Sequence, residues 1–179
     1  MTEQSFVRNN SFGGKLLTPE DLELEQNYFR SKLKLHNRAL HGFGIVTGLE
    51  VRLSQRRNEL QVTPGLALDC AGNEILVPQP LVHSLPAVAS ESAMFLTIHY
   101  HEIETDPTPA LDSDDRCQFM HIAETFRLSF ETQNPHQLHR HVRGRWQACG
   151  EAHGLAIARI RMGAEQWRLD RRLRRPSVK

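Results

Sequence analysis

The stretch TPEDLELEQNYFRSKLKLHNRALHGFGIVTGLEV, residues 18–51, decides the fold of this chain. Thr18 stands in the position of an N-cap, and Pro19 follows at the first helical position, where its missing N–H costs nothing. Acidic residues fill the first turns and basic residues the later ones, in the order that suits the helix dipole. Gly42 supplies the left-handed residue that commonly ends a helix. The stretch therefore predicts a long helix over residues 19–41, followed by a tight corner and a strand.

The apolar side of this helix is one narrow stripe. Its residues recur at helical spacing, and a stripe of this width packs against a single partner. That partner is either the chain's own sheet or a helix of a neighbouring copy, and the spacing alone does not choose between them. We predict that the stripe is an interface formed by Leu22, Phe29, Leu33, His36 and Leu40.

The glycines of the corner do not form a phosphate-binding loop. A dinucleotide fingerprint needs a strand, then glycines, then a helix, and here the order is reversed. Gly42, Gly44 and Gly48 are better explained by a corner at which backbone segments approach closely. Nucleotide binding at this corner is therefore not expected.

The chain from residue 45 to residue 162 has the pattern of a β domain. Proline-rich sequence after Pro78 predicts an extended connector, residues 104–116 predict an exposed acidic loop, and residues 134–149 a polar loop rich in His and Arg. We predict an α+β fold, with a long N-terminal helix followed by a mainly antiparallel β-sandwich or small barrel. The segments with strand character are 45–53, 60–63, 66–70, 75–77, 93–101, 119–130 and 154–162, with 166–169 as a candidate extension of the last one.

Length and composition bound the organisation of the chain. With 179 residues and a net charge of +1, it is expected to form one domain without a global electrostatic preference for a partner. We predict a flexible arm over 1–16, a single α+β domain over 17–165 with its β core at 45–162, and a basic tail over 166–179. Three distant cysteines, no apolar run of membrane-spanning length and no signal-peptide pattern favour a chain folded in the cytoplasm.

Two histidines are the best candidates for chemistry. His99 and His101 alternate on a predicted strand, so they share a face, as metal ligands do in several β-barrel enzymes. However, no carboxylate or cysteine stands at a recognisable spacing from them, and ten histidines make such a pair unsurprising. We predict no metal site, no cofactor and no catalytic residue. A metal-dependent β-barrel enzyme using His99 and His101 is kept as an alternative.

The C-terminal segment is strongly basic. Such a cluster docks on an acidic patch of a partner subunit, on an anionic membrane surface or on a nucleic acid. A short basic C-terminus is most often a solvated tail. Docking on a protein partner is the second interpretation and nucleic acid the third, and an adaptor that binds an anionic surface is kept as a further alternative. The predicted contact residues are Arg168, Arg171, Arg172, Arg174 and Arg175.

Three blocks carry a resemblance to a known class of proteins. They are LLTPEDLELEQNYFRSKLKLHNRALHGFGIVTGLEV at 16–51, LQVTPGLALDCAGNEILVP at 60–78 and FLTIHYHEIETDPTP at 95–109. Together they resemble small structural proteins encoded with phage-tail-like particles, including contractile injection systems. The resemblance covers about residues 12–130. It implies a baseplate, cap or tail-fibre-associated component and transfers no catalytic residue.

From the resemblance and the helix stripe together, we predict a non-enzymatic assembly subunit of a contractile injection particle. Its expected partners are other subunits of the particle and further copies of itself, because symmetric assembly would bury the stripe. No small-molecule substrate and no nucleic acid is expected, and any contact with a membrane is expected to be indirect. The chain is predicted to be cytoplasmic and to be built into the particle there.

Overall fold

The structure is a computed structural model, and it describes residues 6–54, 58–86, 92–109, 117–137, 149, 153–163 and 166–178. Most of the predicted His/Arg-rich loop at 134–149 and the second half of the predicted acidic loop at 104–116 therefore lie outside the described residues.

Helix α1 (Pro19–His36) begins with a complete capping box. The backbone N–H of Asp21 donates to Thr18 Oγ1, and the backbone N–H of Thr18 donates to Asp21 Oδ2, both at 3.3 Å. The helix then widens into one π-helical turn, Asn37–His41, which is closed by a 3.0 Å hydrogen bond from Gly42 N–H to Asn37 O. Gly42 has a φ of 78°, so the residue that ends the helix is one that tolerates this backbone angle.

In the part of the chain that the structure describes, ten strands form three sheets, and every pair of neighbouring strands is antiparallel. The orders are β1-β4-β5, β2-β3-β6 and β10-β9-β7-β8. The α+β class and the mainly antiparallel pairing predicted from the sequence are therefore confirmed. The strands are β1 Gly44–Gly48, β2 Val51–Ser54, β3 Glu59–Val62, β4 Gly65–Leu68, β5 Glu74–Val77, β6 Leu81–Ser84, β7 Ala93–Pro109, β8 Cys117–Glu131, β9 Leu155–Met162 and β10 Trp167–Leu169.

One hydrophobic core lies between the three sheets. Ile75 comes from the first sheet, Leu60 from the second and Ile98 from the third, and all three are fully buried. Leu49 is also fully buried and has a φ of 54°, at the point where the chain leaves β1 for β2. The predicted single strand over 45–53 is therefore two strands in different sheets, because the chain turns at Gly48 and Leu49.

Two segments predicted as loops contribute strands. The connector after Pro78 contains β6, which pairs with β3. The predicted acidic loop begins as strand, because β7 continues to Pro109 in register with β8. Acidic and polar residues are tolerated there since this half of the β7–β8 pair extends beyond β9, whose pairing with β7 covers only Ala93 to Ile98.

The C-terminal segment, predicted as a basic tail over 166–179, pairs with the sheets along part of its length. β10 pairs with β9, and further along the chain Ile45 N–H donates to Pro176 O at 2.8 Å and Val178 N–H donates to Ile45 O at 3.2 Å. A Cβ atom at Gly44 would lie 2.7 Å from the carbonyl carbon of Ser177, so only glycine allows this approach. The segment extends the edge of β1, which a solvated tail would not do.

Candidate protein interface

Helix α1 lies on the outside of the protein, and none of its residues is buried. The exposed fractions are 56% for Leu22, 61% for Phe29, 50% for Leu33 and 59% for Leu40, and His36 is exposed as well. Within the described part of the chain, the predicted stripe is therefore mostly exposed, although Leu33 also lines a cavity between the helix and the sheets. Isolated helices of this length are only marginally stable in water, so contacts outside the stripe must hold α1 in place.

The end of the helix is attached to the turn between β4 and β5. Asn37 is buried, and its Nδ2 donates to Gly72 O at 3.0 Å, while Arg38 Nη1 donates to Ala71 O at 2.8 Å. The turn is preorganised because the carboxylate of Asp69 accepts hydrogen bonds from the backbone N–H groups of Ala71 and Asn73, both at 2.8 Å. These contacts fix the position and direction of the helix relative to the sheets.

A second attachment joins the middle of the helix to the β7–β8 pair. Arg30 Nη2 lies 2.6 Å from Glu102 Oε1, and the Tyr100 hydroxyl donates to the same oxygen at 2.6 Å. Lys34 Nζ lies 6.0 Å from the centre of the Tyr100 ring. Burial, together with the nearby glutamates, raises the pKa of the Tyr100 phenol well above its usual value, so the hydroxyl remains a donor.

The N-terminal arm lies along the helix. Lys15 Nζ pairs with Asp21 Oδ1 at 2.9 Å, which is the main reason that the pKa of Asp21 is lowered, and the N–H of Asn9 donates to Glu25 Oε2 at 3.2 Å. We call the exposed apolar residues of the arm and of α1, taken together, the arm–helix surface. The residues that the arm adds to the helix stripe are Phe6, Val7, Phe12, Leu16 and Leu17.

The histidines kept as metal candidates are engaged differently. His99 Nε2 lies 2.8 Å from Ser129 Oγ and 2.9 Å from Glu131 Oε1, while His101 is exposed on the same side of β7. Among the residues that the structure describes, no group of three His, Cys, Asp or Glu side chains is placed to hold a metal ion. His99 is therefore engaged by Ser129 and Glu131, and the described residues offer no group of three ligands that includes His99 and His101.

The basic residues of the C-terminal segment divide into two groups. Arg175 is bound to the turn between β1 and β2, where Nη1 donates to Leu49 O at 3.1 Å and Nη2 pairs with Glu50. Arg168, Arg171 and Arg172 line an open cavity together with Arg161 of β9. Arg161 was not predicted as a neighbour of this group, because only the pairing of β9 with β10 brings it there.

No family model matches the chain, and no curated protein matches it. A chain in the structure of the type VI secretion system TssK-TssF-TssG baseplate subcomplex aligns with 97% of this protein at a TM-score of 0.58 and 15% identity. A chain in the baseplate complex from the type VI secretion system aligns with 96% at a TM-score of 0.54 and 16% identity.

A third solved structure, the crystal structure of TssK, aligns with 93% of this protein at a TM-score of 0.51 and 14% identity. The protein spans 62%, 60% and 41% of the three matched chains, so it corresponds to only a part of each. At these identities the likeness establishes a shared fold. The fold of this protein is therefore one that occurs in components of type VI secretion baseplates. No helix in the described residues has the length and apolar character needed to cross a membrane.

Proposed function

We propose that this protein is a non-enzymatic structural subunit of a phage-tail-like contractile injection particle. In this proposal it belongs to the baseplate region, is assembled in the cytoplasm and binds other subunits of the particle. The shared fold with chains of type VI secretion baseplate structures supports this assignment, as does the sequence resemblance to tail-like particle proteins.

The exposed face of α1 carries the proposal. Phe29 is 61% exposed on a helix that buries none of its residues, and the arm adds further exposed apolar side chains. Large apolar patches of this kind mark protein–protein contacts in soluble proteins. We infer that the arm–helix surface is covered by another subunit in the particle, and that a further copy of this chain is one such subunit.

The attachment of the helix to the sheets also supports a role of the arm–helix surface in subunit contacts. Its fixed contacts, through Asn37 to Gly72 and through Arg30 to Glu102, lie on the sides of the helix that face the sheets. Leu22 and Phe29 are exposed beside these contacts, whereas Leu33 also lines a cavity with Arg30 and Tyr100. A rigid, preorganised apolar face loses little conformational entropy when it docks.

The oligomeric mass of the full-length protein, free of tags, tests the proposal. We expect light scattering to give a defined oligomer for the wild type and a smaller species for Phe29→Asp, because a buried carboxylate at the stripe would lack a partner. Ser31→Asp is the matched control: it adds the same charge to an exposed position of α1 on the opposite face.

The folded state of both variants is checked by circular dichroism, so that a change in mass is not a consequence of unfolding. An oligomer that persists in Phe29→Asp and dissociates in Ser31→Asp would place the contact on the face of Ser31, which contradicts an interface at the stripe. A wild type that is monomeric, and that also fails to bind any other subunit of the particle, would contradict the proposal. Metal bound in stoichiometric amount, and lost in His99→Ala, would instead favour the alternative of a metal-dependent enzyme.

A further inference from the structure

The end of the third sheet that is formed by β9 and β10 concentrates positive charge. The register of the two strands places Arg161 directly opposite Arg168. Like charges in directly opposite positions destabilise a pair of strands. Arg171 and Arg172 follow within four residues of Arg168, so four guanidinium groups are brought to one place. These positive charges repel one another unless a negative group lies among them.

Asp170 is one such negative group. Its side chain is only 7% exposed and Oδ2 lies 2.7 Å from Arg161 Nε and 3.5 Å from Arg159 Nη1. Oδ1 accepts a 3.0 Å hydrogen bond from the backbone N–H of Arg172. That backbone bond is the main reason that the pKa of Asp170 is lowered, with the nearby arginines adding to it. One ionised carboxylate thus fixes the turn and orients Arg161, but it offsets only one positive charge.

The remaining arginines have no such partner. Within the described residues, no carboxylate lies within ion-pair distance of Arg168 or Arg171. The side chain of Arg168 folds back over Gly163, where a Cβ atom would lie 3.3 Å from Arg168 Nε. The four arginines therefore surround a concave space of about 310 Å³ with more positive charge than the described carboxylates neutralise.

We propose that this cavity, lined by Arg161, Arg168, Arg171 and Arg172, is a binding site for a compact phosphate group, of the class of inorganic phosphate or pyrophosphate. Guanidinium groups bind phosphate oxygens through paired, charge-assisted hydrogen bonds, which is the chemistry that a cluster of arginines around one cavity offers. The bound anion would also relieve the repulsion between Arg161 and Arg168. The site is remote in sequence from the arm–helix surface, and the inference does not depend on the proposed assembly role.

The form of the site favours a compact ligand over an extended polyanion. No aromatic side chain lines the cavity among the described residues, whereas proteins that bind single-stranded nucleic acid stack its bases on aromatic rings. The other lining side chains are Met162 and Leu169, which are apolar, and Asp170, whose carboxylate is engaged by Arg161 and by the backbone of Arg172. The arginines converge on one concave space, while a nucleic acid backbone or a membrane surface is tracked by a longer positive stripe.

Titration calorimetry of the full-length protein with pyrophosphate and with inorganic phosphate tests the site. We expect saturable binding, and we expect Arg168→Gln and Arg171→Gln each to weaken pyrophosphate binding by about tenfold or more, since each removes a charge-assisted contact. Arg174→Gln is the matched control, because it removes the same charge from the same segment but does not line the cavity. Its effect is expected to be less than about twofold, as for a remote exposed charge.

Sulfate, vesicles containing anionic lipid and duplex DNA are tested in parallel at the same ionic strength. Equal losses of pyrophosphate affinity in all three arginine variants would overturn the site, because they would reflect net charge alone. An affinity for pyrophosphate unchanged by Arg168→Gln and Arg171→Gln would also overturn it. Binding to vesicles or to DNA that pyrophosphate does not compete away would assign the arginines to a macromolecular surface instead and would contradict a compact ligand.

Discussion

Helix α1 and the three sheets differ in how much of their apolar surface they bury. The sheets bury Leu60, Leu96 and Ile98 completely in one core, whereas α1 buries none of its residues and is held at its junction and by polar contacts. Burial of apolar area stabilises a domain, and an exposed apolar stripe does not. The difference indicates that the sheets provide stability, while the helix presents a surface. Experiments that alter one region without the other can break or sharpen this contrast.

The largest effect is expected in the core. Leu96→Ala should lower the free energy of unfolding by about 2–5 kcal/mol, because it removes a buried side chain and leaves a cavity. Leu22→Ala on the helix stripe, at a position that is 56% exposed, should change it by less than about 0.5 kcal/mol. Both are measured by urea unfolding in the Phe29→Asp background, so that self-association does not contribute. Equal costs for the two substitutions would mean that the stripe is packed within the subunit.

A smaller effect is expected at the junction between the two regions. Gly72 has a φ of 89°, and a Cβ atom there would lie 2.2 Å from Lys34 O, so Gly72→Ala must displace the helix from the turn. We expect a loss of about 1–3 kcal/mol from backbone strain. Hydrogen exchange should become faster in α1 than in β7. Gly13→Ala is the control, since nothing lies within 4 Å of its added Cβ. Faster exchange in β7 without a change in α1 would contradict this view of the junction.

The smallest effect is expected when the pH is lowered, and it should reduce the stability of the third sheet. The backbone N–H of Ala156 on β9 donates to His136 Nε2 at 3.1 Å, which requires a neutral ring, and burial lowers the pKa of His136 below its ordinary value of 6.5. The unfolded state then binds more protons than the folded state, so this contribution to stability is complete above pH 6.5 and decreases as the pH falls toward the lowered pKa.

His136→Gln keeps an acceptor for the Ala156 N–H but does not titrate. We therefore expect the variant to lose less stability than the wild type between about pH 7 and about pH 5, as judged by thermal unfolding. Identical pH profiles for the wild type and the variant would show that His136 has the same pKa in the folded and the unfolded protein.

Local chemistry accounts for the elements that the sequence predicts well. The capping box at Thr18 and Asp21 acts within one turn of helix, and the glycine at residue 42 acts at a single backbone angle. The β4–β5 hairpin is set by the turn around Gly72, for the same reason. Such features need no knowledge of the rest of the fold.

Long-range pairing accounts for what was missed. Glu104 belongs to the predicted acidic loop, yet it lies in β7 because it pairs with Ile122 of β8. The C-terminal segment has the composition of a solvated tail, yet residues 176–178 are fixed on β1 by backbone hydrogen bonds, which are independent of side-chain type. The same holds for the arginine cavity, where the register of β9 and β10 brings Arg161 next to Arg168.

The sequence by itself therefore determined the helix, its apolar stripe, the α+β class and the basic character of the C-terminal segment, because each depends on local propensity, spacing or composition. The tertiary structure decided that Leu22 and Phe29 of the stripe stay exposed, and that the arginines converge on one cavity. Both outcomes depend on contacts between residues far apart in the chain. Such contacts arise when the core closes and the strand registers are fixed.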